Sequence, residues 1–178
     1  MGKRSDFNEV RPRDLWPTVD PDAITTSFVA KVRGKTYAEP CWGGGDLEDL
    51  LMDVATCKWR SDLEPQVDGV RQVDALNLSR EDLHSASCII TNPPYSWNLL
   101  QPLLDHLPWL KPTWMLLPAD FMHNKRSGPY MKNCSDILSI GRLYWMKHEG
   151  EKPIKGKDNY CWFLFQHGYQ HRTEFTGR

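Results

Sequence analysis

Asn92-Pro93-Pro94-Tyr95 sets an amide, two rings of fixed φ and a phenol directly behind a short apolar run. The two prolines remove two backbone donors, and Asn92, preceding a proline, is pushed out of the α region. The turn is therefore stiff. It presents a carboxamide, a carbonyl with no N–H beside it and an aromatic ring, which together suit a planar amine. Alone, the same tetrapeptide equally describes a structural turn with a packed tyrosine. Three acids stand at comparable places earlier in the chain. Glu39 precedes a glycine-rich turn, Pro40-Cys41-Trp42-Gly43-Gly44-Gly45, while Asp62 and Asp74 each close a strand-like run. Gly43 and Gly45 let a ligand approach the backbone. A pyrophosphate loop would end in Lys-Ser/Thr or run G-x-G-x-x-G. Here an acid leads in and Asp46, Glu48 and Asp49 follow, which suits a cationic ligand group such as that of an amino acid. Asp62 is placed to bond a ribose diol, and Asp74 to accept from an adenine amine. Together these sites describe a pocket for an adenosyl amino acid beside a seat for a planar amine.

The elements that must position these residues follow from periodicity and punctuation. Short apolar or β-branched runs predict seven strands, over residues 36–39, 55–61, 69–75, 86–90, 113–117, 137–145 and 160–165. Ile24, Phe28 and the valines near them predict a helix over 23–32, capped by Asp20 or Asp22 and ended by Gly34. Asp46 is the expected N-cap of a helix bearing Leu47, Leu50, Leu51 and Val54. Ser79 to Asp82 carries a capping-box spacing, which predicts a short helical turn. After Tyr95, Trp97, Leu99, Leu100, Leu103 and Leu104 predict a helix interrupted at Pro102 and ended by Pro108. Alternation of strands and helices up to the fifth strand means a parallel sheet covered on both faces. The last two strands lack a helix between them and are expected to pair antiparallel at one edge. In such a sheet the carboxyl ends of the strands hold the ligand, and all four sites lie there.

With 178 residues, 40% hydrophobic and 8 Trp, the chain is expected to be one globular domain over residues 15–166, with an arm at 1–14 and a polar tail at 167–178. No apolar stretch is long enough to span a bilayer, and the polar start does not read as a secretory signal. The 5 cysteines are odd in number and include no C-x-x-C pair, so reduced thiols in the cytoplasm are expected and a zinc site is not. His167 and His171 stand alone in the tail, so no metal is expected. Net charge is −1, yet residues 1–100 carry five more acids than bases and the remainder four more bases than acids. A basic C-terminal part can face a polyanion.

From residue 15 to 165 the chain resembles the S-adenosylmethionine-dependent amino-methyltransferases that act on adenine N6 in DNA, in particular small phage-type members. Tyr37-Ala38-Glu39-Pro40-Cys41-Trp42-Gly43-Gly44-Gly45-Asp46-Leu47 is similar to the first cofactor motif, Asp62-Leu63-Glu64-Pro65 to the acidic second, and Asp74-Ala75 to the third. Thr91-Asn92-Pro93-Pro94-Tyr95 is similar to the catalytic motif and is the most specific match. Trp16-Pro17-Thr18 sits where the family closes a segment over the methionine end, with Val19 in place of a proline. Asp158-Asn159-Tyr160-Cys161-Trp162-Phe163 resembles the closing strand. The resemblance implies a Rossmann-like class I methyltransferase, α/β, with a mostly parallel seven-stranded sheet and one antiparallel strand near the edge. It implies S-adenosylmethionine held by Trp16, Thr18, Glu39, Pro40, Cys41, Gly43, Gly45, Asp62, Asp74 and Ala75. Catalysis falls to Asn92, Pro93, Pro94 and Tyr95. DNA is the implied partner, with Lys125, Arg126, Arg142 and Lys155 as expected phosphate contacts and the host cytoplasm as the location of a phage product. RNA adenine or a protein glutamine offers a similar planar nitrogen, and a non-catalytic binding protein could keep the fold. Target choice is expected to rest on residues 120–132 and 147–159 or on a partner.

Overall fold

The computed structural model describes residues 16–145 and 152–178. The expected arm at 1–14, Leu15 and part of the 147–159 segment lie outside the described residues. In chain order the elements are α1 (Thr26–Val32), β1 (Thr36–Glu39), α2 (Asp46–Leu51), β2 (Thr56–Asp62), β3 (Arg71–Gln72), β4 (Cys88–Thr91), α3 (Trp97–Leu110), β5 (Thr113–Pro118), α4 (Gly128–Met131), β6 (Cys134–Gly141), β7 (Tyr144–Trp145), β8 (Ile154–Lys155), β9 (Tyr160–Phe165) and β10 (Glu174–Thr176). Eight strands form one sheet in the order β10-β6-β9-β5-β4-β1-β2-β3. β9 runs antiparallel to both β5 and β6, and the other neighbours are parallel.

Side chains alternate across the sheet and build two buried layers. On one face Trp114, Leu116 and Trp162 pack with Phe28 and Val32 of α1 and Leu47 and Leu51 of α2. Phe28 lies flat on Trp162, with ring centroids 4.3 Å apart. On the other face Ile89, Met115, Leu117 and Phe163 meet Leu100, Leu103, Leu104 and Leu107 of α3. This is the three-layer α/β arrangement expected from the alternation.

Several local expectations are corrected. The sheet has eight strands and not seven, because the tail at 167–178 returns to pair β10 with β6. Lys31 bonds Asp136 at 2.6 Å and Glu174 at 3.3 Å, which ties that tail strand to α1. The expected antiparallel strand near the edge is β9, which pairs with both β5 and β6; the β6–β9 pair is not itself the edge, because β10 covers β6. The long sixth strand breaks at Gly141, whose φ of +101° suits glycine. Beyond it, β7 leaves the sheet and pairs with β8 as a separate ribbon. The first helix is split. Asp20 caps a 3₁₀ turn at Pro21–Ala23, and Thr25 caps α1 through its hydroxyl, which accepts from Phe28 N at 3.2 Å. The third strand shrinks to two residues, and Ser79 to Asp82 closes a bonded turn without a helix. Neither Pro102 nor Pro108 stops α3. Each interior proline costs about 3 kcal/mol, whereas burying four leucines stabilises by roughly 1.5–3 kcal/mol each. Burial wins.

Candidate functional site

The chain steps outward from β1 through β2 to β3, then returns to β4 on the other flank of β1. That reversal makes the carboxyl ends of β1 and β4 the switch point of the sheet, the place where open α/β sheets bind ligands in a crevice. Glu39 ends β1 and Thr91-Asn92 ends β4, so the glycine-rich turn and the Asn-Pro-Pro-Tyr turn face each other across it.

Glu39 is 1% exposed, and its Oε2 has no hydrogen-bond partner among the described residues. Burial, reinforced by the charges of Glu48, Asp46 and Asp62 and opposed by Arg60, raises its pKa well above the ordinary carboxylate range. A buried polar atom without a partner is costly, and a ligand that brings a donor or a positive charge removes that cost. The loop after Glu39 packs closely on its own tryptophan. Gly45 adopts φ +93°, and a Cβ there would stand 2.5 Å from the Trp42 ring. Gly45 and not Asp46 is the N-cap of α2, because this left-handed turn ends only when Gly45 N reaches Trp42 O at 3.0 Å. Trp42 is held in turn by Glu48, whose Oε2 accepts from its Nε1 at 2.8 Å while the same carboxylate takes the Arg60 guanidinium. Trp42, Glu48 and Arg60 were not among the expected site residues; the tryptophan preceding three glycines was the available signal.

Asp62 accepts from Gly43 N and from Glu64 N, each at 2.8 Å, one on each carboxylate oxygen. It therefore fixes the glycine loop. Asp74 accepts from Leu76 N at 2.9 Å and caps a 3₁₀ turn, Ala75–Asn77, in which Ala75 is buried. Pro40 is buried. Burial pushes the Cys41 thiol up to about 12, with the Thr91 hydroxyl beside it, so the thiol is neutral and no nucleophile.

At β4 the Asn92 carboxamide is oriented by the chain. Its Nδ2 donates to Trp16 O at 2.5 Å and to Thr18 Oγ1 at 3.0 Å. Those two acceptors put the nitrogen on that side and leave Oδ1 to receive donors, here the Tyr95 hydroxyl at 2.7 Å. Thr18, expected at the methionine end of a cofactor, is 3% exposed and accepts from Asn92 of the Asn-Pro-Pro-Tyr turn. Pro93 is buried and Pro94 half-buried. Trp16 stacks on Tyr95 with centroids 6.3 Å apart, and Trp145 meets Trp16 at 5.8 Å and Tyr160 at 4.9 Å, both edge-on. Trp145 and Tyr160 thus complete an aromatic wall that strand-by-strand reading could not assemble.

The expected phosphate contacts lie at the same end of the sheet. Lys125 and Arg126 follow β5, and Arg126 stands 5.1 Å above the ring of Trp97, the first residue of α3. Arg142 follows β6 and Lys155 belongs to β8; all four are exposed. Among the described residues no group of three or more His, Cys, Asp or Glu is placed to hold a metal. No helix among them is long and apolar enough to cross a membrane.

No protein-family model and no curated protein matches the chain. Solved structures do. A candidate RNA methyltransferase from Pyrococcus horikoshii aligns with a TM-score of 0.53 at 12% identity, over 80% of this chain and 78% of that one. The modification subunit of a candidate type I restriction enzyme from Vibrio vulnificus aligns at 0.53 and 10%, over 96% of this chain and 48% of that one. An S-adenosylmethionine-dependent O-methyltransferase from Thermotoga maritima aligns at 0.50 and 11%, over 93% and 71%. The fold is that of the Rossmann-like class I methyltransferases. Within a methyltransferase fold, the unpartnered Glu39 oxygen and the glycine loop fit the ammonium end of an amino-acid cofactor. Asp62 and Asp74 stand at the ends of the two strands beyond.

Proposed function

We propose that this chain is an S-adenosylmethionine-dependent methyltransferase acting on the exocyclic N6 of adenine in DNA. The observation that carries the reading is the oriented carboxamide of Asn92, whose nitrogen is committed to Trp16 O and Thr18 Oγ1. Its oxygen is the group that meets an incoming N–H. An exocyclic adenine amine is a weak nucleophile because its lone pair is delocalised into the ring. Asn92 Oδ1 and the Pro93 carbonyl accept from its two hydrogens, draw the nitrogen toward tetrahedral geometry and stabilise the positive charge that grows there. Pro94 keeps the two acceptors rigid. The Tyr95 ring stacks on the base, and its hydroxyl yields Asn92 Oδ1 to the amine or shares it. Glu39 receives the cofactor ammonium, with Cys41, Gly43 and Gly45 against the chain that bears it, Asp62 on the ribose, and Asp74 with Ala75 on the adenine. The cofactor supplies a methyl group already activated on a sulfonium, so the chain's task is positioning. A target base in duplex DNA has to leave the stack to reach this turn. Lys125 and Arg126 at the end of β5 serve the phosphates beside it.

The restriction-modification neighbour favours DNA and the RNA methyltransferase neighbour favours RNA, each by its description alone. Methyl transfer from labelled cofactor to unmethylated DNA, to RNA and to protein separates the readings. Label on adenine N6 of DNA is the expected result. Label on RNA or on glutamine alone assigns the same turn to another planar nitrogen. Cofactor binding without any transfer leaves a binding protein.

A further inference from the structure

The β7–β8 ribbon has two unlike faces. Its inner side is anchored to the catalytic turn. Trp145 is 4% exposed and packs edge-on to Trp16 and Tyr160, and Trp16 stacks on Tyr95. Tyr144 N donates to the half of Asp20 left free by its own turn, Oδ2, at 2.7 Å, and Gly156 N donates to Leu143 O at 2.7 Å. Gly156 sits so close that a Cβ would stand 3.0 Å from both Leu143 O and Trp145 Nε1. The outer side is open. Tyr144 is 43% exposed, and Lys155, its cross-strand partner, holds Nζ 5.5 Å over its ring. Arg142, Lys152, Lys155 and Lys157 are all exposed, and in sequence residues 142–158 carry five Lys or Arg against three acids, Glu149, Glu151 and Asp158. The opposite flank of the same edge, around β1 to β3, carries Glu39, Asp46, Glu48, Asp62 and Asp74. Glu39 is buried with its pKa raised and Glu48 is paired with Arg60, so the pull on a polyanion comes from the exposed bases of the ribbon.

We propose that the outer face of this ribbon is the arm on which the DNA strand docks beside the catalytic turn. Tyr144, with Lys155 over it, takes a nucleotide next to the target by stacking. Lys152, Lys157 and Arg142 hold the flanking phosphates. The inner side of the ribbon, packed on Trp16 and Tyr160 through Trp145, keeps that contact in register with Asn92. Phosphate contacts set affinity and its salt dependence, and ring stacking adds affinity without ionic character. This inference rests on the DNA-adenine reading above and adds the surface that recognises the substrate.

The test compares DNA binding across a salt series, in the presence of a non-reactive cofactor analogue, for the wild type, K152E/K155E/K157E, Y144A and a control reversal, K35E/K58E, on exposed lysines away from the ribbon. The triple variant is expected to lose about tenfold or more in DNA affinity. Its slope of log K against log salt should flatten by about 0.9 for each phosphate charge that is no longer neutralised. Cofactor affinity and melting temperature should stay at wild-type values. Y144A is expected to weaken binding several-fold with the slope unchanged, and it keeps the proposal testable if the triple variant folds poorly. Affinity and slope equal to the control in both variants overturn the arm while leaving DNA methylation standing. A wild type that methylates RNA or protein and ignores DNA overturns both.

Discussion

The role proposed for Asn92 depends on which way its amide faces, and that is decided by residues some 75 positions earlier in the chain. Trp16 O and Thr18 Oγ1 accept from Nδ2. Asn92→Ala should therefore lower methyl transfer about 10²–10³-fold, the usual cost of one preorganised group at a developing charge, with cofactor affinity within about twofold. Thr18→Val separates two roles. If the hydroxyl acts by holding Asn92, kcat falls about tenfold, equivalent to one modest hydrogen bond, and cofactor Kd is unmoved. If it binds the cofactor, Kd rises instead. Glu39 gives a pH signature. Its pKa is raised in the folded chain by burial and by neighbouring acids, so the folded state holds this proton more tightly than the unfolded state. Stability of the cofactor-free protein should fall as pH rises from the ordinary carboxylate range toward the folded pKa. Cofactor binding, which favours the ionised form, should release a proton and tighten over the same window. Thermal melts of Glu39→Gln should lose this slope, and a slope equal to wild type would assign it to another group.

At the scale of elements, much was legible and the misses share a cause. Strands β1, β4, β5 and β9 were readable because buried parallel or central strands are short continuous apolar runs bounded by prolines and glycines. Glu39 and Asn92 were placed by such runs, since each stands at the end of a buried strand, whereas Asp62 and Asp74 follow the largely exposed β2 and β3. Local signals failed where tertiary burial outweighed them. Pro102 and Pro108 looked like helix breaks, yet α3 runs through both because its leucines cover the sheet. The break at Gly141 was hidden by the apolar residues on both sides of it. The orientation of Asn92, the Trp42–Glu48–Arg60 latch and the Trp145–Tyr160 wall depend on contacts between distant segments, which no periodicity reports. The latch yields its own expectation. Gly45→Ala adds a Cβ that meets the Trp42 ring at 2.5 Å and strains a φ of +93°. It should destabilise by about 1–3 kcal/mol and weaken cofactor binding. Trp42→Ala combined with Gly45→Ala should recover the steric part, read as a rise in melting temperature over the single variant.

At the scale of the molecule, the fold divides its labour along one edge of one sheet. The β1–β3 side carries the acids of the proposed cofactor pocket, and the β5–β6–β9 side carries the exposed bases. Asn92 lies at the seam. The tail strand matters to the second half, because β10 covers the outer edge of β6 and is tied to α1 through Lys31, Asp136 and Glu174. Removing residues 172–178 should lower the melting temperature and expose a pairing edge that favours aggregation, while the cofactor affinity of what remains folded stays near wild type. Light scattering together with cofactor titration checks both parts.

β9 lies between β5 and β6 although it follows both in the chain, and this bears on when the protein becomes active during its synthesis. Residues up to 118 contain the whole proposed cofactor crevice, but β5 and β6 have nothing between them until residues 160–165 are made. Tyr160, which opens β9, is also part of the aromatic wall beside Tyr95. A nascent chain therefore carries the Asn-Pro-Pro-Tyr turn long before it owns the wall beside it, and the proposed methyl transfer is expected only once β9 has been delivered.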